Sequence, residues 1–243
     1  MIKIILTKLK KIYLKEQFNP SILGLFINPY YFSRISLYKA IKSASGNLDG
    51  SLLDIGCGNK PYEQLFNVES YIGVELDTVE NRTNKKADYF YDGLTLPFSS
   101  DSFDSIICNQ VFEHVFNPDQ FLQEIFRVTK PGGKIILTAP FIWDEHEQPY
   151  DFARYTSYGL NFLLKKYGFE VITFKKTLSD ASLFFQLINV YLYKVTLTKN
   201  KYFNLSFMVF LLSFFNVIGL FLSFLLPKNK DLYLDNVVLA KKL

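Results

Sequence analysis

The segment Asp54-Ile55-Gly56-Cys57-Gly58 carries an apolar run into a pair of glycines, and glycine lets a backbone come close to a ligand. In open α/β sheets ligands lie at the carboxyl ends of the strands, so this turn is a candidate cradle for a cofactor. A dinucleotide fingerprint needs a third glycine three residues after the second; Pro61 stands there, which disfavours a nicotinamide cofactor. Glu75 ends the next apolar run, Tyr71-Ile72-Gly73-Val74-Glu75, about 20 residues on, where a carboxylate can accept two hydrogen bonds from a ribose. Asp92-Gly93-Leu94 and Asn109-Gln110-Val111 follow two further runs. Singly, Gly56 and Gly58 would be a plain turn and Asp92 a helix cap. Their joint occurrence at successive strand ends favours a ligand site.

Proton chemistry has few candidates, because the chain holds only two histidines, His114 and His146. His114 follows Glu113 at the start of a helical stretch. Either could position substrate or, less favoured, hold a divalent metal; one His and one Glu make an incomplete ligand set, so no metal site is assigned, and a helix-start carboxylate beside a satisfied His explains the pair as well. His146 belongs to Trp143-Asp144-Glu145-His146-Glu147-Gln148-Pro149-Tyr150-Asp151-Phe152-Ala153-Arg154-Tyr155-Thr156. This polar and aromatic stretch is too long for a simple connection, which points to a binding loop. Asp151 and Arg154 either contact a ligand in this loop or form an ion pair that holds it. Thr156 is placed to cap the next helix.

These residues need strand ends to stand on, and the sequence supplies them. Short apolar runs at 51–55, 71–75, 87–91, 104–109, 134–139, 169–174 and 234–240 alternate with helical patterns at 61–67, 118–129 and 157–167. That alternation is the mark of a largely parallel sheet covered on both faces. Lys130-Pro131-Gly132-Gly133 is expected to stop a helix and launch the fifth strand. Only about a dozen residues separate Glu75 from the third strand, too few for a full second helix.

With Leu96-Pro97-Phe98, Ser102-Phe103-Asp104, Phe112-Glu113-His114-Val115 and Lys130-Pro131-Gly132-Gly133, these segments resemble the type 11 group of class I methyltransferases over residues 50–175. The resemblance implies a doubly wound, seven-stranded, mostly parallel Rossmann-like sheet whose last strand is antiparallel, and S-adenosylmethionine as cofactor. It implies Asp54 near the methionine amino group, Gly56, Cys57 and Gly58 along the methionyl-ribose moiety, and Glu75 on both ribose hydroxyls. Asp92, Gly93 and Leu94 would bracket the adenine, and Asn109 would line the floor beneath the sulfonium. Arg34 precedes the first strand on a stretch that covers the cofactor in such enzymes; it either pairs with the methionine carboxylate or forms a surface salt bridge.

The run His-x-x-Pro-x-Asp-Phe-x-Arg-Tyr-Thr is similar to type 11 enzymes of bacterial surface-polysaccharide and glycolipid assembly. It implies O-methylation of a sugar hydroxyl on a lipid-linked glycan, with His146 as base, His114 positioning substrate, and Asp151, Arg154 and Tyr155 at the acceptor. A quinone or isoprenoid lipid is the alternative acceptor. A membrane-bound cofactor-binding adaptor without catalysis is a reading of another class, disfavoured because the acceptor loop has not degenerated into Gly, Ser and Pro.

Charge is uneven: residues 1–42 carry +7 and the remainder −3. Residues 2–16 have the periodicity of a basic amphipathic helix, facing either anionic lipid or water. No basic and aromatic residues interleave as in a nucleic-acid module, so nucleic acid is not an expected partner. Cys57 and Cys108 lack metal-ligand spacing and border buried strands, which suits a reducing compartment. With no signal-like start, a cytoplasmic enzyme is expected.

Residues 203–227 contain no charged side chain and are bounded by Lys199, Lys201, Lys228 and Lys230. They are expected either to lie monotopically in the inner leaflet, with the basic N-terminal helix as a second contact, or to pack on the sheet. The division expected is an N-terminal segment 1–48, a core at 49–178 and 231–243, and a hydrophobic helical insertion at 179–230.

Overall fold

The computed structural model describes the backbone of residues 2–243 and the side chains of residue 7 and residues 11–243. By internal contacts the chain forms two compact units, one of residues 40–175 and 235–243, the other of residues 1–39 and 176–234. Residues 1–39 of the expected N-terminal segment 1–48 thus share a unit with the hydrophobic insertion, and residues 40–48 fall in the other.

In the first unit, β1 (Ser51–Ile55), β2 (Ser70–Leu76), β3 (Tyr89–Tyr91), β4 (Phe103–Asn109), β5 (Thr129–Pro140), β6 (Phe169–Lys176) and β7 (Asp235–Lys242) form one sheet. Its order is β3-β2-β1-β4-β5-β7-β6, and β7 runs antiparallel to β5. The order reverses at β1, where β2 and β4 flank it in parallel, and that switch point opens a crevice at the carboxyl ends. Leu52, Leu53 and Ile55 are fully buried on β1, as continuous apolar runs require when both faces are covered.

Helix α5 (Pro118–Val128) starts with proline in its first turn and an Asn117 cap accepting from the Gln120 amide at 3.3 Å. It buries Phe121, Leu122, Ile125 and Val128, each worth about 1.5–3 kcal/mol. Helix α6 (Ser157–Lys166) is capped by Thr156, whose hydroxyl accepts from the Gly159 amide at 3.1 Å.

Two local expectations are corrected. Residues 61–67 do not form a helix: only a 3₁₀ turn, Glu63–Leu65, is present, because Phe66 is already extended on the way into β2. Tyr62 and Phe66 are nonetheless buried, which is what gave the segment its helical spacing. Lys130-Pro131-Gly132-Gly133 does not precede the fifth strand but lies in it, with a register shift against β4 between Phe103 and Ser105. The second crossover holds only α4 (Val79–Asn84), six residues long.

The second unit is helical. It contains α1 (Ile2–Phe18), α2 (Gly24–Ile27), the start of α3 (Tyr31–Ser45), α7 (Ser182–Thr196), α8 (Lys201–Phe207) and α9 (Ser213–Leu225), the last two joined by a π turn, Met208–Leu212. Most of the lysine side chains expected along α1 lie outside the described residues. Buried amides tie the apolar helices together: Asn189 donates to Asn216 at 2.8 Å, Asn216 to the Leu25 carbonyl at 2.8 Å, and Gln186 to the Pro29 carbonyl at 2.9 Å. Among the described residues one continuous helix, Lys201–Leu225, is long and apolar enough to cross a membrane.

Candidate active site at the switch point

Gly56 takes φ +70°, and a Cβ there would stand 2.3 Å from Cγ2 of Val111; both facts demand glycine. Gly58, at φ +53°, would place a Cβ in open space, so its exposed face is where a ligand can lie against the backbone. The Gly58 amide donates to Oε2 of Glu75 at 3.0 Å, and the Leu76 amide to its Oε1 at 3.1 Å. Glu75 is therefore oriented at the strand end before any ligand arrives.

Asp54 is buried and accepts from the Tyr71 hydroxyl at 2.6 Å. Burial raises its pKa to about 7, the Tyr71 hydrogen bond opposing this and Glu75 adding to it. The Cys57 thiol is pushed up to about 12, chiefly by burial, so Cys57 contributes backbone and packing rather than a nucleophile. Asp92 accepts from the amides of Leu94 and Thr95 at 2.8 and 2.9 Å through one oxygen, holding its loop around Gly93 at φ +84° and leaving Leu94 half exposed. Asn109 accepts from the Thr138 hydroxyl at 2.8 Å. Arg34 falls in the helical unit, its guanidinium 5.3 Å from the Phe18 ring and lining a cavity of about 160 Å³ with Glu16, Tyr30 and Tyr193.

Beyond Asn109, Val111 touches Gly56, and directly after it comes the 3₁₀ turn Phe112–His114. The loop containing His146 folds back onto this turn: the amides of Phe152 and Ala153 donate to the Glu113 carbonyl at 2.9 and 3.2 Å. The His114 and His146 rings meet edge to face, 4.7 Å between centroids. Glu113, His114 and His146 each offer an atom within 4.8 Å of the others. Glu113 is fully buried, neither of its carboxylate oxygens has a hydrogen-bond partner, and burial raises its pKa to about 8, with Asp235 adding to the effect.

Asp151 and Arg154 form a bidentate pair at 2.6 and 2.7 Å, and Arg154 also donates to the carbonyls of Asp144 and Ala153, both at 2.8 Å. Asp151 further accepts from the His146 amide at 2.9 Å, and Arg154 keeps its carboxyl well below the usual range. Of the two readings of this pair, these contacts match the one that holds the loop. Tyr155 stacks on Phe112 at 4.6 Å, and burial pushes its hydroxyl up to about 12.

The pairing of two aromatic residues escaped sequence reasoning: Phe116, which was not singled out, and Phe152 of the quoted motif are exposed and packed edge to face at 5.3 Å. Their only sequence signal was aromatic character next to a histidine motif, since nothing local shows that residues 36 apart share a surface.

A reversed strand order, a glycine turn at the switch point, a ribose-competent carboxylate on β2 and an antiparallel β7 together define the methyltransferase form of the doubly wound sheet. Residues 53–137 match the model of the family described as "Methyltransferase domain". An uncharacterized methyltransferase of Mycolicibacterium vanbaalenii is 36% identical over 108 residues, 40% of this chain and 42% of that protein. One of Mycobacterium leprae is 38% identical over 96 residues, 36% of each. The chain thus spans well under half the length of the curated relatives it matches. Among solved structures, the [4+2]-cyclase SpnF superposes with a TM-score of 0.56 at 18% identity, covering 86% of this chain and 82% of its own. A Haemonchus contortus phosphoethanolamine N-methyltransferase, solved with S-adenosyl-L-methionine, gives 0.56 at 19% identity, covering 95% of this chain and 56% of its own. A cyclase beside a methyltransferase shows that the reaction must be argued from the site.

Proposed function

We propose that this chain transfers a methyl group from S-adenosylmethionine to a sugar hydroxyl of a lipid-linked glycan. The observation that carries the reading is the pairing of an orphaned Glu113 and two histidines with a pre-formed ribose carboxylate, two strand ends apart. The cofactor supplies a methyl carbon already activated for displacement, so the protein mainly has to align the partners. Asp54 and Glu75 fit its cationic amino group and its ribose diol, and the open face of Gly58 fits close approach of the methionyl-ribose portion. His146 has its Nδ1 within 3.2 Å of both the Asp144 carbonyl and Asp151, which leaves Nε2 to face the acceptor hydroxyl. Phe116, Phe152 and Tyr150 offer exposed aromatic faces of the kind that pack on sugar rings.

The lipid end of such an acceptor suits the helical unit. Helix Lys201–Leu225 buries only 22% of its most apolar stretch, and Phe210, Phe214, Phe221 and Phe224 are exposed on it. The 15 residues of α7 span about 22 Å, short of the ~30 Å of a bilayer core, and β6 and β7 on either side of the segment are neighbours in one sheet. Both facts favour helices lying in one leaflet over a crossing. Flotation with anionic liposomes tests this: the wild type should float, and a variant with those four phenylalanines changed to serine should not.

The acceptor is tested by incubating labelled cofactor with a membrane glycolipid extract and identifying the product. Label on a sugar oxygen supports the proposal, and label confined to quinone or isoprenoid fractions overturns it.

A further inference from the structure

We infer that Glu113, His114 and His146 form a binding site for a borderline divalent cation of the first transition row, zinc being the strongest candidate. The ligands come from two segments that sequence alone keeps apart, the turn after β4 and the loop after β5. Each histidine is prepared as metal-ligating histidines are, with its other ring nitrogen held by an oxygen. Nδ1 of His114 donates to the Tyr150 carbonyl at 2.7 Å, which fixes the tautomer and leaves the Nε2 lone pair inward. Nδ1 of His146 faces two oxygens, the Asp144 carbonyl and Asp151, so its Nε2 is the free ligand atom.

The third member supplies the negative charge. Glu113 is fully buried, and its two oxygens lack partners although Nε2 of His114 stands 3.9 Å from one of them. A lone pair turned toward a carboxylate oxygen is repulsive unless a cation or a proton lies between them. Glu147, also 3.9 Å from that nitrogen and largely exposed, adds negative charge beside the site. Three atoms within 4.8 Å of one another leave a central ion no more than about 2.8 Å from each, so side-chain shifts of about 0.7 Å reach the 2.0–2.1 Å of zinc–nitrogen bonds. Two imidazoles and one carboxylate select zinc, cobalt or iron over magnesium, calcium and manganese, which prefer oxygen-rich sets.

The cation's role rests on the proposed function, whereas its binding does not. With three protein ligands a coordination position stays open, and an acceptor hydroxyl bound there would become more acidic. His146 would then act on the acceptor through the ion, and the hydroxyl proton would leave to water instead of to His146.

Because His114 and His146 are the chain's only histidines and both cysteines are buried, tag-free full-length protein offers a clean readout. Chelator-stripped protein should take up one equivalent of Co²⁺, visible as d–d absorption, and Zn²⁺ should displace it with at least micromolar affinity. Glu113→Gln, which keeps the shape of the side chain, and His114→Ala should each weaken that affinity at least tenfold while the melting transition stays cooperative. The inference is overturned if neither ion binds at stoichiometry, or if Glu113→Gln binds as tightly as the wild type, which would leave a proton as the occupant. Sugar methylation that runs unchanged in chelator would also overturn a catalytic ion while leaving the proposed function intact. Stoichiometric binding without sugar methylation would do the reverse.

Discussion

At the cofactor end of the sheet edge the carboxylates are already engaged: Asp54 by Tyr71, Glu75 by two amides and Asp92 by two more. At the acceptor end, only two residues past Val111, Glu113 is buried with no hydrogen-bond partner, and its shape is kept by the Asp151–Arg154 brace behind it. A ligand at the first end would meet carboxylates already oriented by the chain. At the second end the fold leaves valences open, which the inferred cation would fill.

The sharpest way to separate the two ends is His146→Ala, which should lower turnover by at least about 100-fold while cofactor affinity stays within error. Steady-state rates paired with calorimetry check it; a retained rate would move the essential proton or ion chemistry away from His146. Conversely, Asp54→Ala or Glu75→Ala should weaken cofactor binding by about 1.5–3 kcal/mol, more than tenfold, in a protein that remains folded. Unchanged calorimetric affinity in both variants would dissolve the cradle.

The buried state of Asp54 gives the cradle a pH signature. Its pKa in the folded, cofactor-free protein is raised from 3.8 to about 7, so the carboxyl is mostly protonated at pH 6 and mostly anionic at pH 8. An anion is what a cationic amino group requires, so affinity should rise roughly tenfold from pH 6 to pH 8, and binding at pH 6 should release a proton. The same raised value means that this group favours the folded state at low pH, a contribution that fades as pH climbs from 4 toward 7. Calorimetry in buffers of different ionisation enthalpy measures the proton; a flat profile would show that Asp54 does not meet the amino group.

The smallest effect concerns the brace. Arg154→Lys keeps the charge but cannot reproduce the two-pronged contact with Asp151 together with the bonds to Asp144 and Ala153. Acceptor KM should rise several-fold with cofactor affinity unchanged. An equal loss at both ends would mean that the loop supports the cradle as well.

The cofactor end was legible in the sequence because each of its features is local: a strand, its terminal carboxylate and a turn of fixed chemistry. Asp54 and Glu75 stand on neighbouring strands β1 and β2, with Gly56 and Gly58 in the turn after β1, and alternation of short apolar runs with helices was enough to order them. The acceptor end was not legible in the same way. His114 and Glu113 read as an incomplete set because the third member, His146, lies on another loop, and no periodicity states which loops touch. The segment 61–67 misled for a related reason: burial at Tyr62 and Phe66 produced helical spacing in a stretch that the approach to β2 forces to unwind.

The amides of Gln186, Asn189 and Asn216 give the apolar helices something that grease alone cannot: a fixed roll angle. Helices that are oily on every side can roll in a lipid layer without cost, but these three side chains lock onto the Pro29 carbonyl, onto each other and onto the Leu25 carbonyl. Rolling would strip those bonds in a medium with nothing to replace them. The exposed phenylalanines are thereby held at a fixed heading on the helical unit, set by its own hydrogen bonds.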